Sequence, residues 1–381
     1  MFVGRTTTPP TETLRIGIDA RCLNVRHLRG MGNYLRGMIG GLAGLPELHW
    51  DFLSNRPDLP FHNPLPGTTP ALHNFDCPGH RFQLWEQAAL PMGAVARHLD
   101  VLHCPQNSAP WWQPVPTVIT IHDTMIWDRD ESMDAGFYRD TLLPQAFHRA
   151  AGIITISEQS KRDILRRWPK LGSKLHVIPH GVEAEFLDAQ PAPLSDDLRA
   201  AGIEAPYLLY CGGLMPRKRM SWAVEILATL DTPNLMLVVC GVPAEGHAAA
   251  AASLPPEIRA RVRFAPFIEQ RAMPRLFQNA AAVLYPTLYE GFGFPALEAQ
   301  AVGTPVLMSP LGSLAELNGP GAVMLDPEDR TAWIEATRRI VAERTNLVPD
   351  DRARRWARGF SWDVSAAAHL AVYRHAAGRT D

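Results

Sequence analysis

Cysteine is scarce in this chain, with five in 381 residues. Cys22, Cys77, Cys104, Cys211 and Cys240 are scattered and contain no Cys-x-x-Cys pair. That excludes a disulfide framework and a thiolate zinc site, and it predicts reduced thiols in a cytoplasmic protein. Charge of one sign is also missing. The 37 Lys and Arg nearly balance the 39 Asp and Glu, and a net −2 excludes a general nucleic-acid binder. No uninterrupted apolar run reaches transmembrane length, so the protein is expected free in the cytoplasm or peripheral at the inner face of the cell membrane. Residues 1–13 are polar and Pro/Thr-rich. They lack the apolar core of a secretion signal and are expected to be a flexible tail. A Walker motif is absent too. The glycines Gly30 and Gly32 are followed by Leu35 where a dinucleotide fingerprint needs its third glycine, which argues against a dehydrogenase.

What is present is material for two α/β domains. The length suits two domains, and hydrophobic residues at 46% are ample for their cores. Leu14–Asp19 reads as a buried strand, followed by a loop over 23–32 and a helix in which Leu35, Met38, Ile39, Leu42 and Leu45 recur at helical spacing. Residues 50–80 read as loop, Trp85–Leu90 as helix, and 101–104, 118–121 and 152–156 as strands. Ser157 is placed as an N-cap for a helix whose Lys161, Arg162, Arg166 and Arg167 form a basic face, either solvated or turned to anionic lipid. The Pro-rich run 183–206 marks the boundary. Then 207–213, 235–241, 262–267, 281–285, 305–308 and 322–327 repeat the strand pattern. The expected division is tail 1–13, first domain 14–190, second domain 191–360 and a C-terminal helix 361–381.

Three stretches carry chemistry. In Tyr289–Glu298 a strand ends, a loop holds Gly291 and Gly293, and Pro295 is well placed to open a helix, because its fixed φ suits the first turn. Such a loop aims backbone N–H groups at an anion. Glu290 and Glu298 flank it, and Glu298, expected on the first helical turn, leans back toward the loop. Carboxylates accept hydrogen bonds from sugar hydroxyls, while backbone donors hold phosphate oxygens. At Pro216-Arg217-Lys218-Arg219, cations follow a strand and two glycines, a pattern suited to a diphosphate. At Ile121-His122-Asp123, a histidine sits at the carboxyl end of a strand, where parallel sheets place functional groups. Weaker signals are Trp111-Trp112, either core anchors or a sugar or lipid platform, and Asp128-Arg129-Asp130, either a solvated loop or a metal-holding Asp-x-Asp.

The run Glu290-Gly291-Phe292-Gly293-Phe294-Pro295-Ala296-Leu297-Glu298 resembles the Glu-x7-Glu signature of retaining, nucleotide-sugar-dependent glycosyltransferases of family 4. The resemblance covers most of residues 14–335. It implies a GT-B fold, with two Rossmann-like doubly wound domains facing a cleft, and a last helix that crosses back to the first domain. By the same resemblance, Glu290 and His122 serve catalysis beside the donor sugar. Gly30, Gly32, Arg217, Lys218, Phe292, Gly293, Phe294 and Glu298 bind the donor, and Tyr34 and Trp111 face the acceptor. No metal and no cofactor beyond the nucleotide-sugar co-substrate are expected. Many family members carry Arg after the first glycine of the cation loop; here that place is Gly213, which leaves the second cation to Arg217 or Arg219. The Pro-Arg-Lys form, with Ile18-Asp19-Ala20-Arg21, resembles mannosyl- and rhamnosyltransferases of surface polysaccharide assembly. It implies a GDP-mannose donor and a saccharide or lipid-linked acceptor. The alternatives are another GT-B enzyme, such as an epimerase or phosphorylase, and a non-catalytic sugar-nucleotide binder.

Overall fold

The structure is a computed structural model that describes residues 13–77, 84–128, 136–344 and 346–379. The chain divides into two units: Met1–Thr155, Asp163–Ile178 and Asp363–Asp381 form the first, and Ile156–Arg162 and Pro179–Trp362 the second. The division at 190/191 read from the sequence therefore falls inside the second unit, and the C-terminal segment belongs with the first.

The first unit is built on a parallel sheet of β1 (Leu14–Asp19), β2 (Leu48–Ser54), β3 (Ala71–Asn74), β4 (Val101–Cys104), β5 (Thr117–Ile121), β6 (Gly152–Thr155) and β7 (Leu175–Val177), in the order β3-β2-β1-β4-β5-β6-β7. Its central strands are buried along their length, as a sheet covered by helices on both faces requires. β2 and β3 lie in the span read as loop. His49 and Asp51 interrupt the apolar pattern of β2, yet Asp51 is buried and offset by Arg15 at 3.1 Å and His73 at 2.8 Å. A buried charge with fixed partners is tolerated in a strand, and hydropathy alone does not reveal the partners.

The first helix is Gly30–Gly40, so Gly30 and Gly32 lie in its opening turn and not in a preceding loop. Gly32 is needed for packing: a Cβ there would stand 2.7 Å from the Cys22 carbonyl oxygen. Ser157 caps its helix as read, accepting the Ser160 N–H at 3.0 Å. The C-terminal helix Trp362–Ala376 is held in the first unit by a buried polar chain whose proton order is determined. His369 Nδ1 donates to the Ser365 carbonyl at 2.8 Å, so its Nε2 accepts from the Tyr34 hydroxyl at 2.8 Å. Tyr34 in turn accepts from Thr120 (2.9 Å), Thr120 from His103 Nε2 (2.8 Å), and His103 Nδ1 from the Tyr373 hydroxyl (2.8 Å). Burial holds both imidazoles below the ordinary histidine range, which keeps this chain neutral.

The second unit repeats the plan with β8 (Tyr207–Cys211), β9 (Met236–Cys240), β10 (Val262–Phe264), β11 (Ala280–Tyr285), β12 (Val306–Met308) and β13 (Ala322–Met324), all parallel, in the order β10-β9-β8-β11-β12-β13. Alternate residues of β8 and β9 feed opposite cores. Leu208, Tyr210, Leu237 and Val239 pack with Trp333 and Ile340 of the helix Arg330–Glu343. Leu209 and Val238 pack with Phe277, Leu297 and Leu314 on the other face. Strand order reverses between β1 and β4 in the first sheet and between β8 and β11 in the second. In open parallel sheets, ligands bind outside the carboxyl ends of the strands at such points.

Candidate functional site

At the switch point of the second sheet, β8 runs into Gly212-Gly213 and the turn Pro216–Lys218, while β11 runs into Thr287–Gly293 and the helix Phe294–Ala301. Glu290 gathers donors from both loops. Lys218 Nζ lies 3.1 Å and Arg217 Nη1 3.3 Å from its Oε1, and the Thr287 hydroxyl donates to the same oxygen at 3.2 Å. The Tyr285 hydroxyl also donates to the Glu290 carboxylate. The loop itself is fixed by Ser313, whose hydroxyl donates to the carbonyls of Glu290 (2.9 Å) and Phe292 (2.8 Å), and by Arg217, which donates to the Tyr289 carbonyl at 2.8 Å.

The cation loop resolves the alternative left open by Gly213. That glycine has φ +72°, and a Cβ would stand 3.2 Å from the Gly241 carbonyl oxygen, so the turn has no place for an arginine side chain. Arg219 is turned away, donating to the Pro327 carbonyl at 2.5 Å and pairing with Glu328. Arg217, with Lys218, is the second cation at Glu290.

Gly293 has φ +108°, and a Cβ there would meet Leu314 at 2.4 Å. The helix starts at Phe294 with Pro295 in its second position, so Glu298 lies one turn in and not on the first turn. Its carboxyl is half-buried. Desolvation, with the Cys240 thiol and Glu183 nearby, pushes it up to about 8. The Phe292 and Phe294 rings anchor the loop by packing on His180, edge-on at 4.9 Å and stacked at 5.0 Å respectively. His180 is a supporting residue that sequence reasoning missed; the one local signal is His180-Gly181, a histidine beside a turn glycine. A cavity of about 1000 Å³, lined by Pro206, Leu235 and Arg338 among others, opens at the amino-terminal end of this sheet. Its charged residues Glu204, Asp231 and Arg338 lie away from the carboxyl ends of the strands, so place in the fold and not volume identifies the site.

In the first unit, His122 follows β5. Its Nε2–H donates to the Pro105 carbonyl at 2.8 Å and its backbone N–H to Asn107 Oδ1 at 2.6 Å. Burial pushes the imidazole down to about 4, so it is neutral at pH 7 with an unprotonated Nδ1. At the switch point of this sheet, Arg21 bridges Asp19 (2.9 Å) and Glu86 (3.0 Å), and Glu86 also accepts from Ser108 at 2.9 Å and from Tyr138. Burial drives the Glu86 carboxyl up to about 7 against the pull of Arg21. Sequence reading missed Glu86, a single acid in a helix whose partners come from distant segments.

One acceptor-side expectation changes, and one alternative closes. Tyr34 is fully buried in the polar chain described above and has no surface for an acceptor. Trp111 and Trp112 are not core anchors: they are 41% and 47% exposed, with Arg149 stacked on Trp111 at 4.3 Å. The second half of Asp128-Arg129-Asp130 lies outside the described residues, as does the Asp128 side chain. The basic face over 161–167 is tied to neighbours in part, with Lys161 near Glu158 and Arg166 near Asp163.

Two doubly wound units, the second with two cations and a carboxylate converging at its switch point, define a doubly wound α/β class. The comparisons narrow it. A family model described as Glycosyltransferase Family 4 matches residues 28–186, and one described as Glycosyl transferases group 1 matches residues 199–358. The chain belongs to the family 4-like glycosyltransferases of the GT-B fold. It is 29% identical over 244 residues to a D-inositol 3-phosphate glycosyltransferase of Xylanimonas cellulosilytica, covering 60% of this chain and 57% of the relative. It is 24% identical over 223 residues to an O-antigen chain mannosyltransferase of Salmonella typhimurium, covering 58% and 60%. The matches thus span under two thirds of these curated relatives. The crystal structure of Anabaena HepE in complex with UDP-glucose superposes with a TM-score of 0.72 at 16% identity, covering 94% of this chain and 99% of that one. Among the described residues, no helix is long and apolar enough to cross a membrane.

Proposed function

We propose that the protein is a hexosyltransferase that moves a sugar from a nucleotide-sugar donor to a saccharide acceptor, with retention of configuration and without a metal. The observation that carries this reading is the convergence of Lys218, Arg217 and Glu290 beside the glycine-hinged start of the helix Phe294–Ala301. In this reading Lys218 and Arg217 receive the diphosphate, helped by the N–H groups of Phe292 to Phe294, which open a helix and lack intrahelical partners. Glu298 accepts from the ribose hydroxyls. Glu290 orients the donor sugar, and His122 keeps the catalytic role that the family resemblance implies for it.

The step breaks the bond from the anomeric carbon to the diphosphate oxygen and forms one to the acceptor oxygen on the same face. The acceptor's hydroxyl proton passes to the departing phosphate. Negative charge grows on the leaving diphosphate, where preorganised cations lower the barrier. Fixed cations and a helix end take the part a divalent ion plays elsewhere.

The finer reading is GDP-mannose as donor and a lipid-linked saccharide as acceptor. The named mannosyltransferase among the relatives supports it. Exposed Leu84, Met92 and Val95, with the exposed Trp111 whose backbone N–H donates to Gln87 Oε1 of the same helical stretch at 2.8 Å, support peripheral membrane contact. The test is incubation with GDP-mannose, UDP-glucose and dTDP-rhamnose and a membrane extract carrying lipid-linked saccharides, reading the anomeric configuration of the product by NMR. Transfer with a product whose anomeric configuration matches that of the donor supports the reading. Sugar-nucleotide conversion without acceptor, or no turnover with any donor, overturns it.

A further inference from the structure

Cys211 and Cys240 close β8 and β9 and are register partners in that parallel pair. Register partners on adjacent strands present their side chains on the same face, and adjacent strands lie about 4.7–4.9 Å apart. That spacing falls within the roughly 4.4–6.8 Å between Cα atoms that a disulfide bridges. The two thiols already hydrogen-bond one another, and both are unlinked. Cys211 is buried, whereas Cys240 is only partly buried, so Cys240 is the nearer of the two to a small oxidant.

The two thiols differ in chemistry: the hydrogen bond with Cys240, together with burial, pushes Cys211 well above the ordinary thiol range. The hydrogen bond from Cys211, with one from the Gly241 backbone, holds Cys240 below the ordinary thiol range, while burial pushes Cys22 and Cys104 well above it. The thiolate is the nucleophile, so Cys240 is the thiol that attacks.

We propose that Cys211 and Cys240 are a redox pair that a peroxide closes into a reversible cross-strand disulfide at the nucleotide edge of the second sheet. The Cys240 thiolate attacks one peroxide oxygen, the O–O bond breaks, and a sulfenic acid forms while the departing hydroxide takes up the proton the thiol had released and leaves as water. The Cys211 sulfur then attacks the Cys240 sulfur, its proton leaves with the hydroxyl as a second water, and the S–S bond forms. The two thiols lose two electrons and hydrogen peroxide accepts them.

The consequence follows from what surrounds the pair. Lys218 and Glu298 both act on Cys211 electrostatically, and Cys240 acts on Glu298. The turns that follow are already in contact: Gly212 N–H donates to the Cys240 carbonyl at 3.2 Å, and a Cβ at Gly212 would lie 3.2 Å from Lys218 Cδ. Drawing the sulfurs to about 2.05 Å pulls these turns together and displaces the one that supports Lys218. On the function proposed above, oxidation weakens nucleotide binding.

The test treats the purified full-length protein with hydrogen peroxide and maps its peptides by mass spectrometry. A Cys211–Cys240 linkage is expected, with loss of two hydrogens. It should be reversed by dithiothreitol and absent from Cys240→Ser and Cys211→Ala. Titration of reduced and oxidised protein with GDP, UDP and dTDP should show binding weakened about fivefold or more on oxidation. Failure of the link to form in the wild-type protein, or oxidation of Cys240 to a sulfinic acid without it, overturns the pair. A link that leaves nucleotide affinity unchanged overturns its role as a switch. A link in a protein that binds no nucleotide in either state upholds the pair and overturns the nucleotide-sugar reading instead.

Discussion

Lys218 Nζ and Arg217 Nη1 share one oxygen, Glu290 Oε1, at 3.1 and 3.3 Å. On the proposed function, a diphosphate would compete with this carboxylate for both cations, so Glu290 would oppose nucleotide binding as well as orient the sugar.

Two substitutions separate those roles. Glu290→Gln should leave nucleoside diphosphate affinity unchanged or higher, while transfer from a nucleotide sugar is lost. Lys218→Ala should weaken diphosphate binding by roughly tenfold or more, since a hydrogen bond to a charged group contributes about 1.5–3 kcal/mol. Calorimetric titration and a transfer assay on the same preparations check both. Weaker diphosphate binding by Glu290→Gln would contradict the competition.

Glu298 makes the site proton-linked. Its carboxyl is raised to about 8 by desolvation, so it is protonated at neutral pH in the folded protein and ionised in the unfolded chain. The folded state then binds more protons, and its stability falls as pH rises from the ordinary carboxyl range toward 8. Wild type should lose stability relative to Glu298→Gln across that window in urea titrations. Ribose hydroxyls donate to the ionised form, so nucleotide binding near pH 7 should release a proton. Calorimetry in buffers of different ionisation enthalpy would show this, and Glu298→Gln should abolish it.

The buried chain from Tyr373 to Ser365 predicts a stability effect remote from the site. Tyr373→Phe leaves His103 Nδ1 without its donor in a fully buried position, which costs about 1–3 kcal/mol. Urea unfolding should show a lowered midpoint with an unchanged slope. A neutral result would mean that the chain does not hold the C-terminal helix.

Gly293→Ala should damage the site through the backbone. The residue has φ +108° and faces Leu314, so a methyl group meets both strain, of order 1–3 kcal/mol, and a clash. The expected result is a lower melting temperature together with loss of nucleotide binding. Gly44→Ala is the control, because nothing lies within 4 Å of its notional Cβ and the residue is outside the binding site.

The parts legible in the sequence are those that local pattern encodes. The second sheet's strands are apolar runs ending in glycine or a loop, and the Tyr289–Glu298 spacing places two carboxylates around one turn whatever the packing. The fold class follows from that repetition, and the two units carry it. What escaped is long-range pairing. β2 was hidden by Asp51, whose partners Arg15 and His73 come from β1 and β3. Glu86 gains its meaning from Arg21 and Tyr138. Tyr34 looked available beside a glycine pair because nothing local shows that its hydroxyl meets His369. Cys211 and Cys240 looked scattered because only strand register brings them together.

The most direct test of the central claim is calorimetric titration of wild type and Lys218→Ala with GDP, UDP and dTDP, each with and without EDTA. Binding of one nucleotide by wild type, unchanged by EDTA and strongly weakened in Lys218→Ala, is the predicted result. Binding lost on adding EDTA, or no binding of any nucleotide, would contradict a metal-free nucleotide site built on Lys218 and Arg217.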